Sequence, residues 1–130
     1  MTVIRLSVAT AAFLLIPVLS FGATLPSANT FSIRAALASG MPTVADFGAR
    51  SCIPCKRMAP ILEELNSELK GKANVLFSDL GESRDVAKPY RIQMMPTQIF
   101  FDAKGNEVKR HIGFMDKADI LKELKAAGMK

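Results

Sequence analysis

The chain has 130 residues, of which 49% are hydrophobic and 22% are charged, and its formal net charge at pH 7 is +5. This length supports one domain with a single core, and the composition excludes a disordered chain. The 17 basic residues are mixed with acidic ones and do not form a block with interleaved aromatic residues, so nucleic-acid binding is not expected.

Residues 1–23 differ in composition from the rest of the chain. Arg5 gives a charged start, Leu6–Phe21 is almost continuously apolar, and small residues that suit cleavage follow, which is the pattern of a secretory signal peptide. Because the apolar run is just long enough for a spanning helix, an uncleaved membrane anchor is the alternative. We expect residues 24–30 to be a polar linker and residues 31–130 to be the folded domain.

The first half of the domain is predicted to begin with a helix over Phe31–Ala38, capped by Thr30 or Ser32. The apolar run Thr43–Ala49 has the length of a buried strand. A second helix is predicted from Cys52 to Leu69, because apolar residues recur there at three- and four-residue spacing.

The second half combines short strands and helices. Ala73–Asp79 is predicted to be a second buried strand, and Glu82–Tyr90 a short connecting helix. Thr97–Phe101 and Glu107–Ile112 are separated by a short segment that contains glycine, which predicts a β-hairpin, and Asp116 is expected to cap a final helix. This order indicates an α/β fold with a central mixed β-sheet and helices on both faces.

The chain has only two cysteines, Cys52 and Cys55, at the predicted junction of the first strand and the second helix. Unpaired backbone N–H groups and the helix dipole favour a thiolate there, so we expect Cys52 to be the nucleophile. Cys55, one turn further on, is placed to attack a mixed disulfide made by Cys52. A structural disulfide is the alternative, but a bond across so short a loop removes little entropy from the unfolded chain. The pair therefore predicts redox chemistry.

Asp46 is an acidic residue inside the first apolar strand. Burial would raise the pKa of its carboxyl group, which suits proton transfer near neutral pH, and Asp46 is the candidate base for Cys55. A solvated position at a strand edge is the alternative, and periodicity alone does not decide. His111 is the only histidine, so a usual zinc site with the two cysteines would need a carboxylate as well. No metal and no cofactor is expected.

Two segments resemble the thioredoxin family. Val44–Leu62, which contains Cys52-Ile53-Pro54-Cys55, is similar to the active-site segment of that family, and Tyr90–Thr97 is similar to the segment that carries its cis-proline. Gly113 falls where the family has a glycine beside the active site. The resemblance covers residues 42 to about 127 and implies a thioredoxin fold.

The resemblance implies roles for individual residues. Cys52 would be the exposed nucleophile, Cys55 the buried resolving thiol and Asp46 the acid/base group, which settles the choice between the two interpretations of Asp46. Pro96 would be cis, so that the backbone of Met95 can pair with an extended substrate. The implied substrate-binding surface comprises Ile53, Pro54, Met95, Pro96, Thr97 and Gly113.

A narrower similarity links Pro96–Asp102 and Gly113–Asp116 to the exported thioredoxin-like domain of DsbD-type transmembrane thiol-reductant transporters. It implies a periplasmic or secreted thiol-disulfide oxidoreductase that takes electrons from such a membrane protein and reduces disulfide-containing proteins. Thiol exchange can run in either direction, so a disulfide-donating oxidant is one alternative. A redox-inert protein that handles metal through its two cysteines is another. A monomer is expected because no coiled coil is present.

Several positions depart from the family pattern. Ser51 replaces the tryptophan before the first cysteine and Gly48 replaces an aromatic residue, so a flat apolar surface beside the thiol is missing, which bears on substrate preference. Ile53 replaces the glycine of the commonest thioredoxin motif, and in the family the residues between the cysteines tune the redox potential. Phe77 or Ser78 falls near the place of the lysine that often accompanies the buried acid.

Overall fold

The computed structural model describes residues 24–130, so the predicted signal peptide, residues 1–23, lies outside the described residues. In the described part, no helix is long and apolar enough to cross a membrane. The elements in chain order are α1 Thr30–Leu37, β1 Thr43–Gly48, α2 Ile53–Glu68, β2 Asn74–Asp79, a 3-10 turn Arg84–Val86, β3 Thr97–Phe101, β4 Glu107–Ile112 and α3 Lys117–Ala126.

The four strands form one mixed sheet in the order β2-β1-β3-β4. β1 is parallel to β2 and is joined to it through α2, whereas β3 is antiparallel to both β1 and β4. β1 is therefore a central strand with a partner on each side. Asp46 on β1 lies opposite Phe77 on β2 and Gln98 on β3.

Helices pack on both faces of the sheet, each over its own cluster of buried apolar side chains. On one face, α2 and α3 contribute Met58, Leu62, Leu65, Ile120 and Leu124 to a cluster with Val44, Val75, Phe77 and Phe100. On the other face, α1 contributes Ile33 to a cluster with Ala45, Phe47, Val86, Ile99 and Phe101. Alternate residues of β1 and β3 point to opposite faces, as in any strand buried on both sides. The predicted α/β fold, a mixed sheet covered on both faces, is confirmed.

The start of α1 differs from the prediction by one residue. Asn29, not Thr30 or Ser32, is the N-cap, and its side chain accepts a hydrogen bond from the backbone N–H of Ser32. The Ser32 hydroxyl accepts one in return from the backbone N–H of Asn29, at 2.9 Å. This reciprocal pair is a capping box, with serine in the place usually taken by glutamate.

The predicted helix over Glu82–Tyr90 is wrong. Only Arg84–Val86 is helical, as a single 3-10 turn, and Val86 is its one buried residue. Pro89 has no N–H to donate, and Arg91 takes a left-handed conformation with a φ of 52°. With one apolar anchor and a proline, the segment lacks the buried stripe that stabilises a longer helix.

The stretch predicted as a linker, residues 24–30, lies against the domain. The backbone N–H of Ala28 donates to the carbonyl oxygen of Phe77 at 2.6 Å, and the Ser27 hydroxyl accepts from the N–H of Asp79 at 2.9 Å. Ala28 is buried. The segment thus covers part of the outer edge of β2 before α1 begins.

Candidate active site

Cys52 and Cys55 are joined by a disulfide, with Cα atoms 5.2 Å apart. Cys52 is the N-cap of α2, and its Sγ accepts the backbone N–H of Cys55 at 3.4 Å. Cys52 is partly exposed, whereas Cys55 is 4% exposed. A sulfur at this position faces unpaired N–H groups of the first helical turn, which favour its thiolate form once the disulfide is reduced.

Gly48, at the end of β1, lets the buried cysteine approach the sheet. Any Cβ at this position would contact both Sγ and Cβ of Cys55. A cavity of about 190 Å³ also borders Cys55, and its lining is mostly apolar. The lining residues include Leu25, Ala49, Arg50, Ala59, Leu62 and Phe77. Gly48, where the family has an aromatic residue, therefore lies against Cys55 of the redox pair.

The loop before β3 lies at the same edge of the sheet as the cysteines, because Thr97 pairs with Phe47 near the end of β1. The Met95–Pro96 peptide bond is cis. The N–H of Gly113 donates to the carbonyl oxygen of Pro96 at 2.8 Å, and the Thr97 hydroxyl donates to the carbonyl oxygen of Met94 at 2.7 Å. The structure thus brings Gly113 to the proline loop and fixes that loop from both sides.

Four large apolar side chains at this edge are exposed to solvent. The exposed fractions are 75% for Ile53, 61% for Met94, 44% for Met95 and 53% for Ile112. Of the predicted substrate-binding residues, Pro54 is also exposed and Gly113 is half-buried, whereas Pro96 and Thr97 are buried. The apolar surface beside the cysteines is therefore built from isoleucine and methionine side chains.

Asp46 has no solvent-exposed area, although it is ionisable. The solvated edge position considered as an alternative is therefore wrong, since β1 is central. Asp46 lies two residues after Val44, so its side chain points to the α2 and α3 face of the sheet. Burial raises the pKa of Asp46 to about 7, and a hydrogen bond from Gln98 acts in the opposite direction. The carboxyl group thus has the proton affinity that acid/base chemistry near neutral pH requires.

Gln98 is the polar neighbour that sequence reasoning missed. Its Nε2 donates to Oδ1 of Asp46 at 2.7 Å, and its side chain has no exposed area. The available signal was a lone amide in the otherwise apolar strand β3. The same pattern drew attention to Asp46 in β1.

Lys56 and Arg57 follow the disulfide on α2, and a positive charge near Cys52 would favour its thiolate. The Arg57 guanidinium lies over the Phe114 ring, 4.4 Å from its centroid. Lys56 is exposed. Arg50, on the other side of the disulfide, interacts with Asp79 and Glu82 at 3.8 and 3.7 Å. Arg50 and Arg57 are thus each held by other side chains, by the two carboxylates and by the Phe114 ring.

His111 is not grouped with the cysteines. Its Nε2 lies 3.1 Å from the carbonyl oxygen of Phe114, which ties β4 to the segment before α3. Among residues 24–130, no group of at least three histidine, cysteine, aspartate or glutamate side chains is arranged to hold a metal ion.

Comparison with known proteins places this geometry in a family. The family model Thioredoxin matches residues 27–126. A thioredoxin from Staphylococcus aureus is 40% identical over 86 residues, which cover 66% of this chain and 81% of that protein. A thioredoxin from Rickettsia felis is 36% identical over 85 residues, covering 65% of this chain and 80% of the relative. The chain belongs to the thioredoxin family.

Other comparisons agree. A bifunctional thioredoxin reductase/thioredoxin from Mycobacterium leprae is 34% identical over 103 residues, and the match spans only 22% of that longer protein. The crystal structure of a chloroplastic thioredoxin z matches with a TM-score of 0.69 and 27% identity, covering 81% of this chain and 95% of the other. A thioredoxin from Halobacterium salinarum matches in fold with a TM-score of 0.71. The protein is accordingly a thiol-disulfide oxidoreductase of thioredoxin fold, with Cys52 and Cys55 as its redox pair.

Proposed function

We propose that the protein is an exported reductant of protein disulfides that works in the periplasm. The observation that carries the exchange reaction in this proposal is the asymmetry of the redox pair, in which Cys52 is partly exposed and Cys55 is buried. An incoming disulfide has access to Cys52 first. Cys55 then acts only within the complex that Cys52 has formed.

The exchange proceeds in two balanced steps. The Cys52 thiolate attacks one sulfur of the substrate disulfide, forms a mixed disulfide and expels the other substrate sulfur as a thiolate. The Cys55 thiol then gives its proton to the Asp46 carboxylate and attacks Sγ of Cys52, which releases the second substrate thiolate. The substrate gains two electrons, and the protein is left with the Cys52–Cys55 disulfide.

Substrate binding uses the loop that faces the cysteines. The carbonyl oxygen and N–H of Met95 are available to an extended peptide as an added strand, which gives binding that depends little on sequence. The exposed side chains of Ile53, Met94 and Met95 add apolar contact without a tryptophan. Methionine adapts its shape readily, so this surface suits several partners.

The electron donor in this proposal is a transmembrane thiol-reductant transporter. Support comes from the signal-like composition of residues 1–23 and from the similarity of Pro96–Asp102 and Gly113–Asp116 to the exported domain of such transporters. The proposed reductant acts as a monomer on disulfide-containing proteins and needs no cofactor, because both electrons are stored in its own thiols.

The test begins with the full-length chain expressed in a Gram-negative host. Cys55→Ser retains the nucleophile and lacks the resolving thiol, so we expect it to accumulate mixed disulfides in the periplasmic fraction. Cys52→Ser is the matched control and should trap none. Equal trapping by both variants, or by neither, would contradict the exchange mechanism, and trapping confined to the cytoplasm would contradict export.

The reduction potential of the Cys52/Cys55 pair decides the direction of exchange. Equilibration of residues 24–130 in glutathione buffers should give a value near that of thioredoxin, about −270 mV. A value near −120 mV would instead identify a disulfide-donating oxidant. Stoichiometric metal retained by the purified protein, together with no trapping, would identify a metal-handling protein.

A further inference from the structure

Asp46 and Gln98 form an isolated polar pair within the core. Neither side chain is exposed, and the bond from Nε2 of Gln98 to Oδ1 of Asp46, 2.7 Å long, is the one side-chain hydrogen bond that either residue makes in the described part of the chain. Oδ2 of Asp46 and Oε1 of Gln98 have no partner within residues 24–130. A buried carboxyl group with one bonded and one free oxygen is an uncommon arrangement in a protein interior.

Within residues 24–130, no charged side chain is among the causes of the Asp46 pKa. Phe77 lies beside Asp46 on β2, and the helices that cover this face present apolar residues such as Met58 and Ile120 together with Cys55. His111 on β4 pairs with Gln98 and so lies one strand further from Asp46. Burial and the Gln98 bond are the two causes of the Asp46 pKa. In the described part of the chain, Gln98 is thus the one side chain that opposes the effect of burial on this pKa.

We propose that Gln98 is a positioning residue that holds Oδ1 of Asp46 and leaves Oδ2 as the atom that takes the proton from Cys55. The Gln98 amide occupies one lone pair of Oδ1, whereas Oδ2 has no donor within residues 24–130, so Oδ2 is the oxygen more open to a proton. A hydrogen bond to an ionised acceptor is stronger than one to a neutral acceptor, so Gln98 also favours the carboxylate form. The role in proton transfer rests on the proposed function, whereas the effect on the Asp46 carboxyl group does not.

Removal of the amide should therefore raise the pKa of Asp46 further. In Gln98→Met, a side chain of similar length keeps the core filled but offers no donor. A charge-assisted hydrogen bond corresponds to about one pH unit or slightly more. Asp46 would then be protonated at neutral pH, and the resolving step by Cys55 would need a more alkaline solution.

The test is a ¹³C NMR titration of the Asp46 carboxyl carbon in the oxidised protein, where neither cysteine titrates. We expect the midpoint in Gln98→Met to lie about one pH unit above that of the unmodified protein. Ser78→Ala is the matched control: it removes a buried β2 hydroxyl that has no partner within residues 24–130, and it should leave the midpoint unchanged. An equal or lower midpoint in a folded Gln98→Met protein would overturn the proposal.

A measurement without substitution covers the case in which Gln98→Met does not fold. The Nε2 protons of Gln98 in the unmodified protein should shift with pH at the same midpoint as the Asp46 carboxyl carbon. Absence of that common transition would overturn the proposal. Asp46→Asn should abolish it.

Substrate reduction tests the proposed function, whereas the Asp46 titration tests the effect of Gln98. A protein that never reduces substrates but shows the shifted titration contradicts the proposed function and leaves the control of Asp46 by Gln98 in place. To test the link to Cys55, the rate of substrate release from a preformed mixed disulfide should be followed against pH. A Gln98→Met profile that does not move, despite the shifted titration, would overturn the role in proton transfer.

Discussion

A Cβ atom built on Gly48 would stand 3.0 Å from Sγ of Cys55 and 3.2 Å from its Cβ. Contacts of this length are tighter than nine in ten that real Cβ atoms make, so Cys55 would have to shift by a few tenths of an ångström to admit a side chain. The absence of a side chain at Gly48 is therefore a requirement of the present position of Cys55.

Gly48→Ala should destabilise the oxidised protein by about 1–3 kcal/mol, because the added methyl group overpacks the contact with Cys55. Urea unfolding of the oxidised forms measures this cost. In a Cys55→Ala background the contact with sulfur is gone, so the same substitution should cost clearly less. Equal costs in the two backgrounds would show that the contact with Cys55 sulfur is not the cause.

Asp46 makes the stability of the oxidised protein fall as pH rises. Its pKa is raised from 3.8 to about 7 in the folded protein. Between these values the unfolded chain has lost the proton and the folded chain keeps it, so stability decreases across this window and levels off above pH 7. The total change from this group is roughly 4 kcal/mol.

Asp46→Asn should remove that decrease, since its amide does not titrate. Relative to the unmodified protein, the free energy of unfolding of the variant in urea should increase as pH rises from about 4 to 7. Gln98 can rotate its amide to accept a bond from the new asparagine, which limits the damage to the core. Stability curves that stay parallel across this range would show that Asp46 does not titrate there.

Ile53 lies between the two cysteines with 75% of its side chain exposed. Ile53→Ser should change stability by no more than about 0.5 kcal/mol, as expected for a surface position. It should lower kcat/KM for a protein disulfide several-fold and leave the rate with a small disulfide nearly unchanged. Val108→Ser, at the far end of β4 and 50% exposed, is the control and should affect neither rate. Equal losses with both substrates would point to the redox potential instead of binding.

Arg110 connects β4 to the segment that precedes the cis-proline loop. One Nη atom donates to the carbonyl oxygen of Tyr90 at 3.0 Å, while Nε and the other Nη bind the Glu107 carboxylate at 2.8 and 3.0 Å. Lysine has the charge but not the planar fork, so Arg110→Lys should cost about 1 kcal/mol. Faster hydrogen exchange at residues 91–95 would accompany the loss. Lys109→Arg is the control, and a comparable change there would refute a specific role for Arg110.

The strands and the two long helices were predictable because each has a strong local pattern. β1, β2, β3 and β4 begin and end within one residue of the sequence prediction, and Asp116 caps α3 as expected. The segment 82–90 was not predictable by the same means. Its few apolar residues fit a helical stripe, but a single buried anchor, Val86, and a proline outweigh that weak pattern.

The candidate site was predictable where chemistry is local in sequence and not where it depends on strand pairing. The Cys52 and Cys55 pair follows from spacing, whereas the choice between a buried and a solvated Asp46 needed the family resemblance as well as the apolar strand. The contact between Asp46 and Gln98 depends on the antiparallel register of β1 and β3 across 52 residues of chain. No local pattern fixes that register, so the role of Gln98 emerged only from the folded structure.

Arg50 lies two residues before Cys52, and its guanidinium donates a hydrogen bond to the carbonyl oxygen of Leu25 at 2.9 Å. This bond joins the segment before α1 directly to the loop that presents Cys52, ahead of the contacts that the same segment makes with β2.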